Sequence, residues 1–152
     1  MNLYLLILLP LLAAPVAALV PSERYRPLLL PATSLLHVIL VLRELAEPSL
    51  AAPHGMLALD ALGRLILLVV SLLYAAVSVY AIGYFRSHPT WSNRIFTVCL
   101  LIFLSAMTLA AAAQHLGLLW VAVELTTVVS APMIYYNRNR FSIEATWKYL
   151  LL

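Results

Sequence analysis

The chain has 152 residues, of which 64% are hydrophobic and 10% charged, and its mean hydropathy is +1.01. So small a polar inventory cannot cover a water-soluble globule. The formal charge of +3 does not indicate nucleic acid, because the basic residues are scattered through short connections, and the single Cys99 excludes an internal disulfide framework or a thiolate metal cluster within one chain.

The expected class is therefore all-α, a polytopic transmembrane helix bundle forming one membrane domain, with five full spans and the start of a sixth. The first span, about 2–20, is rich in Leu and Ala and carries no charge. A secretory signal peptide would need a basic leading region, which is missing here. Pro10 and Pro15 remove backbone donors and should bend this helix, as membrane helices allow where neighbours satisfy the freed carbonyls. A basic connection with Arg24 and Arg26 leads to the second span, about 28–45, whose interior holds His37. Seven residues separate His37 from Glu44, so both fall on nearly the same helical face and a polar stripe inside the bundle is possible. No second ligand at metal spacing accompanies His37, which favours a hydrogen-bonded core histidine.

The interval from Glu47 to Asp60 contains Pro48, Pro53 and Gly55 and reads as a loop. The third span, about 61–85, opens with Asp60 and Arg64, four apart on one face, which suggests a structural ion pair at the interface. A polar loop with Trp91, a candidate interfacial ring, precedes the fourth span, about 95–112. There Ser105 and Thr108 can bond across helices or back onto their own carbonyls, and the alanines from Ala110 to Ala113 permit close helix approach. Gln114 and His115 make a tight turn into the fifth span, about 117–136. The sixth segment, about 142–152, is incomplete as a crossing: eleven residues span ~16 Å of helix, about half the hydrocarbon core.

Arginines occupy alternate connections: Arg24 and Arg26, Arg86 and Arg94, Arg138 and Arg140. This places those loops inside and the N-terminus outside. Glu124 then lies about nine residues along the fifth span, ~13 Å deep and near the bilayer centre. A charged side chain there costs ~3 kcal/mol on insertion scales, and such residues tend to face protein or water and to serve transport. A buried carboxyl resists ionisation unless a cation approaches, so moving a cation toward or away from it loads or releases a proton. Thr127 shares its face and is placed to support it, directly or through water. Packing between helices is the alternative for Thr126, Thr127 and Ser130. Glu144 and Lys148, again four apart, form a second ionisable cluster, readable as a local ion pair with a snorkelling lysine or as part of a relay.

Leu119-Trp-Val-Ala-Val-Glu-Leu-Thr-Thr127, followed by Ser130-Ala-Pro132 and by Ser142-Ile-Glu-Ala-Thr-Trp-Lys-Tyr-Leu150, resembles the antiporter-like proton-translocating subunits shared by respiratory complex I, membrane-bound hydrogenases and multisubunit cation/proton antiporters. The Glu-Leu-Thr-Thr and Ser-Ala-Pro runs look most like the hydrogenase-4 or formate hydrogenlyase branch. Leu59-Asp60-Ala-Leu62 and Gly83-Tyr84-Phe85 also match the family's habits. The resemblance implies that Glu124 is the helix-five glutamate and Lys148 the helix-six lysine of a proton path. It implies too that helices from about residue 95 onward begin the first inverted repeat. The family continues through a broken helix seven whose lysine partners the helix-five glutamate, so the expectation is an N-terminal fragment, inactive in translocation alone.

The function so implied is that of a non-catalytic subunit of a membrane-bound oxidoreductase, of the hydrogenase or NADH-quinone oxidoreductase type, in a prokaryotic plasma membrane. No spacing in this chain suits a nucleotide, flavin, metal or iron-sulfur cluster. Iron-sulfur clusters, NiFe, or flavin and quinone would belong to partner subunits. A cation/proton antiporter subunit is an alternative. So is a non-conducting scaffold whose buried charges specify helix pairing.

Overall fold

A computed structural model describes residues 3–47, 55–87 and 92–151. Pro48, Pro53 and Trp91 lie outside the described residues. The elements are α1 (Leu3–Leu19), α2 (Leu29–Ala46), α3 (Ala61–Ser87), α4 (Arg94–Ala112), α5 (Leu116–Ile134) and α6 (Arg140–Leu151), with 3-10 turns at Arg26–Leu28 and Tyr135–Asn137. Apart from an isolated antiparallel bridge between Leu57 and Ala113, the regular structure of the described residues is helical.

Four of these helical stretches are long and apolar enough to cross a membrane: Arg26–Ala46, Ala61–Ser87, Arg94–Ala112 and Leu116–Asn137. The chain is thus a multi-pass membrane protein. The expected first span is shorter, since α1 has 17 residues and a rise of 1.5 Å per residue makes it ~25 Å long against a hydrocarbon core of ~30 Å.

Helix α4 is the central post, packing against α1, α3 and α5, while α2 packs chiefly on α3 and also on α1. Helices α1 to α4 each bury a stripe chiefly at spacings of three and four, the period that keeps residues on one face. On α3 that stripe is Gly63, Leu67, Ser71, Tyr74, Ser78, Ala81 and Phe85. On α2 it includes Leu30, Thr33, Ser34, His37, Val41 and Glu44. The outward faces carry large apolar side chains such as Leu12, Leu35, Leu65, Leu73 and Val79, all more than half exposed. The seam is thus more polar than the exterior, the reverse of a soluble bundle and the arrangement that suits a lipid solvent.

Two backbone and side-chain devices fix the ends of the bundle. At one end, Arg26, only 3% exposed, donates from Nη1 to Glu23 Oε1 (2.9 Å) and Asn93 Oδ1 (2.8 Å), and from Nε and Nη2 to the Val20 carbonyl (3.1 and 2.6 Å). Glu23 completes the knot by accepting from Ser92 Oγ and the Asn93 backbone N–H, while Asn93 Nδ2 donates to the Glu23 carbonyl. Arg26 is therefore more than the topological marker its charge suggests: it locks the α1–α2 connection to the start of α4. The Glu23 carboxyl lies below its ordinary value; burial works to raise it, and the hydrogen bonds from Ser92, Arg26 and the Asn93 backbone outweigh that. At the other end, the Ala58 N–H donates to the Ala112 carbonyl and the Gln114 N–H to the Met56 carbonyl, clasping the segment before α3 onto the end of α4. Gly63 explains how closely α3 and α4 approach there, because a Cβ at this position would stand 2.9 Å from the Ala111 carbonyl oxygen.

Candidate functional site

The interior polar seam centres on His37, which is fully buried. Its Nδ1 lies 3.0 Å from Ser71 Oγ on α3 and its Nε2 lies 3.1 Å from Thr108 Oγ1 on α4, so one imidazole joins three helices. Both hydroxyls also donate to helical carbonyls four residues back, Ser71 to Leu67 (2.7 Å) and Thr108 to Leu104 (2.8 Å). The backbone of Leu6 faces the ring as well. That contact has a covalent cause in α1: Pro10 has no N–H to offer the carbonyl four residues before it, which is that of Leu6. One turn from His37 toward the start of α2, Ser34 Oγ meets Ser78 Oγ at 3.2 Å. Two turns in the other direction Glu44 is equally buried, at 1% exposure. Ser105 Oγ crosses to the Ile7 carbonyl of α1 at 2.9 Å.

Glu124 stands ninth of the 19 residues of α5. Its side chain is exposed, on the face of α5 that also exposes Trp120 and Val128. The buried side of α5, at Ala122, Val129 and Ala131, is the one pressed on the bundle. Glu124 thus points away from the other described helices and not into the seam with His37. The Thr127 hydroxyl donates to the Val123 carbonyl (3.3 Å), as does that of Thr126 (2.6 Å), and Ser130 donates to the Thr126 carbonyl (2.7 Å). In an apolar helix the nearest acceptor for a short hydroxyl is its own backbone.

Glu144 and Lys148 form an ion pair, Nζ to Oε1 at 2.6 Å, with both side chains more than half exposed. The expected pair between Asp60 and Arg64 is absent among the described ion pairs. Asp60 Oδ1 instead accepts the Gly63 N–H at 2.6 Å and caps the start of α3, where orphan backbone donors compete for any carboxylate. Arg64 is left with a buried Nε that has no hydrogen-bond partner. His115 caps α5 by accepting the Gly117 N–H on Nδ1 at 3.2 Å.

At the opposite end of α5, Tyr136 packs edge-on against Phe85 and Phe96, with ring centroids 6.0 and 5.2 Å away, beside an open cavity of about 410 Å³ lined by Tyr80, Tyr84 and Met133 among others. Among the described residues no three His, Cys, Asp or Glu side chains gather where they would hold a metal ion.

Sequence reasoning missed the Arg26 knot, for which the local pattern of a basic loop gives no signal. It also missed the hydroxyl partners of His37, although Ser71 and Ser78, seven apart in an otherwise apolar run, mark the same face.

Comparison with known proteins gives one partial likeness. Over 49 residues, 32% of this chain, the sequence is 39% identical to a hydrogenase-4 component F homolog of Methylacidiphilum infernorum (isolate V4), and the match spans 10% of that protein's length. No family model matches the chain, and no solved structure does.

Proposed function

We propose that this chain is part of a proton-translocating subunit of a membrane-bound, hydrogenase-type redox complex, with Glu124 in the proton path and Lys148 the cation that follows it. The observation that carries the reading is the position of Glu124. A carboxylate halfway along an apolar α5, on the face turned from its own bundle, is a costly placement in lipid unless a further protein surface or water covers it. The partial likeness to a hydrogenase-4 component supports the same assignment. Glu124 holds or yields a proton as a cation comes and goes across that face, and Glu144 competes for Lys148 in its local pair. Redox chemistry and its cofactors belong to partner subunits, and the chain sits in a prokaryotic plasma membrane with its N-terminus outside.

Exposed charge on α5 also suits a scaffold that pairs helices without conducting. The variant Glu124→Gln keeps the shape and removes the charge. In inverted membrane vesicles holding the assembled complex, it should abolish redox-driven acidification while the complex remains intact. Unchanged acidification would sink the relay, and loss of assembly would favour the scaffold.

A further inference from the structure

We propose that His37 is a second proton-binding site, distinct from Glu124, at which the doubly protonated imidazolium is the form that the junction of α2, α3 and α4 is built to hold. The argument is a count of hydrogens. Four short contacts meet at this junction: Ser71 with the Leu67 carbonyl, Ser71 with Nδ1, Thr108 with the Leu104 carbonyl, and Thr108 with Nε2. Each needs one hydrogen. Two hydroxyls and a neutral ring supply three, so one contact would set acceptor against acceptor. A second ring proton supplies the fourth, and each hydroxyl then gives its hydrogen to a carbonyl and turns a lone pair to the ring.

Burial works against a charge at this place, and the backbone of Leu6 works for it. The Leu6 carbonyl, deprived of its helical donor by Pro10, faces the ring from α1. Glu44 lies on the same buried face of α2, ~10 Å along the axis. Of the other titratable or charged groups of these helices, Tyr74 stands one turn from Ser71 and is buried, Arg64 stands two turns before Ser71 and is half-buried, and Tyr80, Tyr84, Arg86, Arg94 and Cys99 lie more than two turns along their helices from Ser71 or Thr108. Arg64 opposes the charge; Tyr74 is neutral. Arg43 and Tyr4 are exposed. When the proton leaves, one hydroxyl must swing from its own helix carbonyl to the bare ring nitrogen. Occupancy of the site thus resets the contact between α2 and either α3 or α4. The inference does not depend on the role of Glu124.

The test uses the full chain in lipid bilayers with His54→Gln, His88→Gln and His115→Gln, which leave His37 as the lone imidazole. With nitrogen-15 histidine, solid-state NMR should show both ring nitrogens protonated in the lower part of a titration from about pH 5 to about pH 8, the span in which histidine ordinarily changes charge. One bare and one protonated nitrogen throughout would overturn the proposal. Thr108→Val keeps the shape and removes an acceptor, and should lower proton affinity about tenfold, as should Ser71→Ala. Unaltered titration in a folded variant would also overturn it, and the titration of the lone-imidazole chain decides by itself if neither variant folds.

Discussion

Replacing Arg26 by Ala removes four hydrogen bonds at once. Two acceptors, the Val20 carbonyl and Asn93 Oδ1, then lose a charged donor in buried or partly buried positions. A polar group stranded in this way costs ~1–3 kcal/mol. The third partner, Glu23, is 53% exposed, so water screens the lost ion pair and its share is ~0–1 kcal/mol. The sum is about 4 kcal/mol, within the range found on breaking a buried pair. Arg26→Lys keeps the charge but offers no planar fork, and should lose roughly half as much. The measurement is unfolding of the purified chain in mixed micelles by graded addition of a denaturing detergent, followed by far-ultraviolet circular dichroism. A loss below ~1 kcal/mol for Arg26→Ala would refute the claim that this knot holds α1 and α2 to the start of α4.

The same knot should be sensitive to acid. Because the folded Glu23 carboxyl lies below its ordinary value of 4.5, its contribution is complete above that pH and is lost as pH falls through the folded value; Glu23→Gln should flatten this part of a stability-against-pH curve. Gly63→Ala sets a methyl 2.8 Å from Asp60 Oδ1 and 2.9 Å from the Ala111 carbonyl oxygen, so α3 must draw back from α4 at a cost of ~1–3 kcal/mol in the same unfolding assay. By contrast, Glu144→Ala or Lys148→Ala breaks an exposed pair, so a change beyond ~1 kcal/mol would show that the pair is structural after all.

The helical architecture was legible in the residues because apolar runs of membrane length are separated by Pro, Gly and charged connections. Helix α3 starts at Ala61 and helix α4 ends at Ala112. That His37 and Glu44 share a face followed from their spacing, and the packing of α2 shows that face to be buried. Their partners did not follow, since Ser71 and Thr108 lie 34 and 71 residues from His37 and only the packing of α3 and α4 brings them to the ring. Asp60 illustrates a different failure: spacing paired it with Arg64, but a helix start offers closer donors than a side chain four residues on. The place of Glu124 midway along a helix follows from the length of the apolar run, whereas its direction away from α4 depends on which side of α5 the bundle uses.

The clasp between the segment before α3 and the end of α4 is made of main-chain groups at Met56, Ala58, Ala112 and Gln114, with one added bond from Gln114 Nε2 to the Ala58 carbonyl. Side-chain substitutions at these positions leave the main-chain donors and acceptors in place, so an exposed position such as Met56 can vary while the joint is kept, whereas the buried Ala112 is held small by its packing. Proline is the exception at Ala58 and Gln114, where it would delete the donating N–H. Identity at these sites is thus a poor guide to their importance, and the absence of one residue type is the better one.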